Sequence, residues 1–328
     1  MTRSGHAQPY LRFSERKKKA KIVSYINGLI SQLGTFVFSV IVAYSLVFDS
    51  KIRIKNYIKF MDMTEENDNK SGIDFKDTEF ELEFKNVFFK YNDHSDYVLK
   101  GVNFKIRSDE TYALVGVNGC GKTSIIKLIL RFYDPTEGQI LLNGRNVKEY
   151  SIDSVRRLFS PMFQNYNNYA FTVREDVYLS DIENKNDNER IIYSSVQSGA
   201  DEFVRKFDNG YGAYLTRQYE DGIELSGGQW QKIAIARTIF RESLMYILDE
   251  PSSAIDAQSE DELFANFDKL FEHSGGILVS HRLSNVRKCD RIIVIDNGTV
   301  AEEGTHEQLM KNRKKYAHMF ELQANKYQ

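Results

Sequence analysis

Polarity divides the chain into three stretches before any motif is considered. Residues 1–21 are polar and basic, with Arg12, Arg16, Lys17, Lys18, Lys19 and Lys21 around Glu15. An uncharged run follows from Ile22 to Phe48. As a helix it would span about 40 Å, enough to cross a tilted path through a bilayer. It is too long and starts too late for a signal peptide, and no clean small-residue cleavage site follows it. Ser31, Thr35, Ser39 and Ala43 recur at four-residue spacing, with Gly28 near the same face. Small residues on one stripe let a second helix approach closely in lipid. The alternative is an amphipathic helix packed on the globular domain, but no charge interrupts the run, which favours the membrane. Ile52, Ile54, Ile58 and Phe60 then alternate with Lys51, Arg53, Lys55 and Lys59, and 64–77 is polar and acidic. The expected division is a partial membrane segment and connector over 1–61, a linker over 62–78, and a globular domain over 79–328.

Within that domain the period changes repeatedly. β-rich segments are expected at Phe80–Tyr91 and Val98–Ile106, and a short apolar strand at Thr111–Val115. A glycine-rich turn and a helix from Lys122 follow. Further strands are expected at Leu244–Leu248, Gly276–Ser280 and Arg291–Asp296, with a helix at Gln258–Glu272. Strands alternating with helices predict an α/β fold with a largely parallel sheet.

Composition narrows the class only a little. Hydrophobic residues at 41% and charged residues at 27% are ordinary globular values and exclude disorder and a polytopic membrane protein. A net charge of −2 gives no general attraction to nucleic acid. Two cysteines, Cys120 and Cys289, exclude a disulfide scaffold, and neither sits in a zinc-ligand spacing.

Two segments carry phosphate chemistry. G-V-N-G-C-G-K-T, residues 116–123, matches the phosphate-binding loop in full and has the required strand before it and helix after it. Gly116, Gly119 and Gly121 permit a backbone arc whose N–H groups face phosphate oxygens, and Asn118 and Cys120 complete it. Lys122 is expected to reach the β- and γ-phosphates. Thr123 is expected to bind Mg²⁺, with Ser124 beside it. The second segment, L-M-Y-I-L-D-E at 244–250, is an apolar strand that delivers Asp249 next to the metal. Glu250, one residue later, is placed to act as general base on the attacking water.

A third motif decides among phosphate-loop proteins. Residues 225–229 read L-S-G-G-Q, and with it the chain resembles the nucleotide-binding domain of ABC transporters, of the exporter type, over about residues 79–328. The resemblance implies a P-loop ABC-type ATPase domain: a mixed sheet core, an antiparallel β subdomain and a helical signature subdomain. It implies ATP and Mg²⁺ as ligands. In V-x-F-x-Y (Val87, Phe89, Tyr91), Tyr91 takes the adenine-stacking place, whereas Phe89 suits the core. Gln164 in P-M-F-Q-N resembles the glutamine that senses γ-phosphate and metal. The stretch 253–256 resembles the loop that crosses to the partner subunit and ends in Asp256. His281 in V-S-H-R resembles the switch histidine. Segment Thr216–Gly222 resembles the stretch preceding the signature, with Gln218 and Tyr219 replacing the usual small pair.

Ser226, Gly227, Gly228 and Gln229 would grip ATP held on the other subunit, since Ser226 offers a hydroxyl and the glycines expose backbone N–H at a helix start. One phosphate loop and one signature per chain imply a dimer, with a second copy or a paralogue. Trp230 departs from the family pattern and is expected to pack in the helical subdomain. The same resemblance implies six membrane helices before the ATPase domain, and here there is room for one. Ile22–Phe48 looks like the fifth of them and Ser50–Met63 like the connector after the sixth. Basic clusters at both ends of the run conflict with a single crossing that leaves both ends in the cytoplasm, which suggests a fragment or a truncated half-transporter. The expected function is an ATP-hydrolysing export subunit at the cell membrane, its ATPase domain cytoplasmic and its substrate unidentified. A truncated ABC domain that binds ATP without transporting is the alternative. A soluble ABC protein acting on ribosomes or DNA would need a second ATPase domain or a coiled-coil insertion, and neither is seen.

Overall fold

Leu99, Val102, Phe104 and Ile106 turn inward while Lys100, Asn103, Lys105 and Arg107 face solvent, the two-residue alternation of a sheet with one wet face. The computed structural model describes residues 7–61, 72–249, 264, 267, 271, 274–280 and 283–324. It divides into two compact units, Met1–Asp68 and Asn69–Gln328.

The described residues of the first unit form one helix, α1, Ala7–Met61, of 55 residues. Its span Lys18–Met61 has a mean hydropathy peaking at 1.8 over a window long enough to cross a membrane, and is exposed throughout. The helix continues past the uncharged run in both directions. Between Pro9 and Met61 no proline interrupts it, and Lys, Arg, Glu and Ile are all compatible with a helix interior. Thr35 Oγ1 donates to the Ser31 carbonyl at 3.0 Å and Ser39 Oγ to that of Thr35 at 2.9 Å. These hydroxyls are thus satisfied within the helix, as an apolar solvent demands.

The described residues of the second unit form two sheets. One is antiparallel, in the order β2-β1-β4-β5, where β1 is Glu81–Phe89, β2 Leu99–Arg107, β4 Glu137–Leu142 and β5 Arg145–Asn146. The other has six strands in the order β10-β9-β3-β8-β7-β6, with β3 Thr111–Val115, β6 Phe159–Met162, β7 Met245–Asp249, β8 Gly275–Val279, β9 Arg291–Asp296 and β10 Thr299–Gly304. Its pairings are parallel except at the β10 edge. Every residue of β7 and β8 is buried, which is why those segments read as continuous apolar runs. The main core joins both sheets to α2, Lys122–Ile129, through Phe84, Phe104, Ile125, Leu128 and Phe159. A helical layer contains α3, Ile152–Arg157, α4, Val173–Tyr178, α5, Asn188–Gln197, α6, Asp201–Val204, and α7, Gly227–Phe240. Around α4, α6 and α7 it has its own cluster of Val173, Ala200, Val204, Leu215, Trp230 and Ile233.

The end of the expected linker belongs to this unit. The Ile73 amide donates to Glu149 and the Ser151 amide to Ile73, both at 2.9 Å, and Phe75 packs on Phe80 and Tyr150. Two backbone hydrogen bonds at Ile73 and the ring of Phe75 dock it. Most of the helix expected at 258–272 lies outside the described residues.

Candidate functional site

Strand β3 ends on a left-handed arc because the chain must turn sharply into α2. Gly121 has φ +115°, and a Cβ there would meet Leu99 at 2.6 Å; a Cβ on Gly116 would meet the Ile295 carbonyl at 2.3 Å. Only glycine fits both places. Gly121 is also the N-cap of α2 and brings no side-chain cap to it, which leaves the helix start to an anion. Lys122, 7% exposed, donates to the Gly116 and Val117 carbonyls at 2.8 and 3.1 Å. Its ammonium therefore lies over the arc.

Strand β7 carries Asp249 to the same place. Its Oδ2 lies 3.5 Å from Thr123 Oγ1. Two residues past the end of β1, Tyr91 donates to or accepts from Ser124 Oγ at 2.9 Å. The Tyr91 ring meets the edges of Phe89 at 4.9 Å and Tyr133 at 5.3 Å, and the Lys127 ammonium stands 5.0 Å over it. Phe89 is buried and Tyr91 is 39% exposed, the division of labour expected of V-x-F-x-Y.

These elements enclose a cleft of about 490 Å³ lined by Tyr91, Val98, Asn118, Gly119, Gly121, Lys122, Thr123, Ser124, Gln164 and Asp249. All but Val98 were expected from the sequence; Val98 is an apolar residue with no motif to mark it. Lys127 and Tyr133 were also missed, since each reaches Tyr91 across space. Gly116 and Cys120 shape the arc from behind, Cys120 buried with Sγ 3.9 Å from Lys122 Nζ. Ser226, Gly227, Gly228 and Gln229 are not in this cleft. They open α7, where Ser226 and Gln229 form a reciprocal capping box. Trp230 is buried among the helical subdomain residues, as expected. Glu250, Asp256 and His281 lie outside the described residues.

The donor set suits a hard divalent cation. A carboxylate, a hydroxyl and the Gln164 amide are all oxygen ligands, and among the described residues no cluster of three or more His, Cys, Asp or Glu forms a dedicated cage.

The profile of the ABC transporter family matches residues 99–253. The subtilin transport ATP-binding protein SpaT of Bacillus subtilis is 33% identical over 94% of this chain and 50% of its own. The ATP-dependent lipid A-core flippase of Escherichia coli K12 is 35% identical over 74% of this chain and 41% of its own. Among solved structures, a bacterial Atm1-family ABC exporter with ATP bound superposes with a TM-score of 0.75 and 26% identity, over 86% of this chain and 49% of that one. The chain spans about half the length of the curated relatives it matches. The SpaT alignment extends beyond the globular unit into α1, whereas that of the flippase is no longer than the globular unit. Matched in sequence and in fold, the globular unit is an ABC-type ATPase domain that binds nucleotide, and it resembles the corresponding domain of the Atm1-family exporter.

Proposed function

We propose that the chain binds and hydrolyses ATP to drive export of a substrate not yet identified. The observation that carries this is the single cleft in which an aromatic platform, a phosphate arc and the strand-end Asp249 face one another. Adenine stacks on Tyr91. The amides of 118–124 and the Lys122 ammonium hold the phosphates. Thr123, Asp249 and Gln164 would hold Mg²⁺, which would supply positive charge against the transferring phosphate. Glu250 takes the proton of the attacking water, a role worth about 10²–10⁴ in rate. His281 donates to the γ-phosphate.

The site is completed in trans. Ser226, Gly227, Gly228 and Gln229 of one chain close over the nucleotide of another, with Asp256 at the seam, so two copies, or this chain and a paralogue, sandwich two nucleotides. Helix α1 anchors the assembly in the cell membrane with the ATPase domain on the cytoplasmic side. Support for the anchor is its length and hydropathy and the extension of the SpaT match into it. Nucleic acid has no part in this reading.

The test is ATP turnover against protein concentration, with the whole chain in detergent. Specific activity is expected to rise with concentration as dimers form. Turnover independent of concentration would refute the sandwich, and bound ATP without turnover would mean that a paralogue must complete the site.

A further inference from the structure

Arg237 and Asp176 form the most deeply buried ion pair among the described residues, and neither belongs to a motif. Asp176, in α4, has a side chain with no exposure, and Arg237, in the last turn of α7, is 16% exposed. Arg237 pairs with Asp176 through Nη2 and Nε, and Nε also donates to the Asp176 carbonyl at 3.1 Å. Burial pushes the Asp176 carboxyl above its usual range, and Arg237 pulls it back. Burying such a pair contributes little net stability, because desolvation offsets the attraction. What the pair does instead is place a guanidinium. Nη2 reaches on to the Asn167 carbonyl at 3.3 Å, and the guanidinium carbon lies 5.0 Å over the Tyr169 ring.

The same loop is tied to the other end of α7. Tyr166 Oη donates to the Gly227 carbonyl at 3.0 Å, and its ring packs on both the α7–β6–β7 cluster and the helical cluster. Gln164 lines the nucleotide cleft two residues before Tyr166 and three before Asn167. The loop that starts at the cleft is therefore pinned to the first and the last turn of the helix whose N-terminus is L-S-G-G-Q.

We infer that Tyr166 and Arg237 are positioning residues that transmit nucleotide engagement at Gln164 to the signature turn of the same chain. Neither touches nucleotide. Tyr166 acts on the carbonyl of Gly227, inside the signature itself. Arg237, fixed by Asp176, holds the far end of the loop so that a displacement at Gln164 moves α7 rather than dissipating along 167–171. The inference rests on the nucleotide reading above.

The test is hydrogen exchange of the whole chain in detergent, with and without Mg-ATP, kept dilute so that it is monomeric. The Ser226 and Gln229 amides are held by the capping box, so their exchange reports the signature turn. In the unmodified chain, Mg-ATP should slow exchange at 116–124 and at 164–169, and should change it at 226–229 by about fivefold, the worth of one hydrogen bond. Tyr166→Phe removes one hydroxyl and keeps the ring. Arg237→Lys keeps the charge but cannot reach Asp176, Asn167 and Tyr169 together. Both should retain the ATP response at 116–124 and lose it at 226–229, with unfolding temperature unchanged for Tyr166→Phe. A purely structural role would not separate the two segments. If 226–229 responds in both variants as in the unmodified chain, the coupling is wrong and the nucleotide reading stands. If 116–124 does not respond in the unmodified chain, the nucleotide reading fails and takes the coupling with it.

Discussion

At the scale of single residues, Lys122 shows how the fold prepares for an anion. An ammonium with little access to water must be held by acceptors, and two loop carbonyls hold it. Phosphate oxygens offer a stronger, charge-assisted version of the same bond. Lys122→Ala should remove about 1.5–3 kcal/mol of that interaction and weaken ATP binding about ten- to a hundredfold. Calorimetric titration of the whole chain measures this directly, and an unchanged dissociation constant would place the nucleotide elsewhere. Lys122 was legible in the sequence because its neighbours are consecutive: arc, lysine and hydroxyl occupy eight positions. Tyr91 was legible only through resemblance, since nothing in V-x-F-x-Y by itself says what the ring faces. Lys127 and Tyr133 were not legible, because they meet Tyr91 only through tertiary packing. Tyr166 and Arg237 were hidden for the same reason: their partners lie 61 and 70 residues away.

At the scale of elements, the strands were the most readable part. β1, β2 and β3 fall within one or two residues of expectation, since alternation or continuous apolarity marks each of them. Helix α1 was foreseen in its uncharged middle and runs on beyond both ends, because charge does not stop a helix that lacks a breaker. The docking of Ile73 against Tyr150 was not foreseen, for two apolar residues in an acidic stretch give no period. Helix α7 does two jobs along its length, with a capping box at its exposed start and a buried face from Trp230 onward. Trp230 is 5% exposed and packs with Val173, Leu225 and Ile233. Trp230→Ala should therefore cost about 3–5 kcal/mol of unfolding free energy through lost burial and the cavity left behind. Urea unfolding of the whole chain measures it. The ATP dissociation constant should stay within about twofold, since no atom of Trp230 lines the cleft. A large loss of affinity with little loss of stability would mean that Trp230 belongs to the nucleotide site.

At the scale of the whole molecule, the decisive feature of the proposed sandwich is that one chain holds half of each catalytic site. The phosphate arc and the signature turn are separate: Lys122 lines the cleft and Ser226 does not. In the proposed sandwich, the arc of one chain meets the signature of the other, so the two halves can be inactivated in different chains. Lys122→Ala spoils the arc and spares the signature. Ser226→Arg puts a bulky cation on the signature and spares the arc. Alone, each variant makes dimers in which both sites are defective, and neither should hydrolyse ATP. A mixed dimer is different. One of its sites combines both defects, and the other joins an intact arc from the Ser226→Arg chain to an intact signature from the Lys122→Ala chain. Random pairing of equal amounts makes about half the dimers mixed, each with one sound site of two, so about a quarter of the unmodified turnover should return on mixing. The measurement is ATP turnover of each variant alone and of the two combined, after exchange in detergent. If mixing restores nothing while the unmodified chain is active, arc and signature work within a single chain. If Ser226→Arg is active alone, the signature plays no part in hydrolysis. Recovery on mixing can arise only from a site built across two chains, because no single molecule in the mixture carries both intact halves.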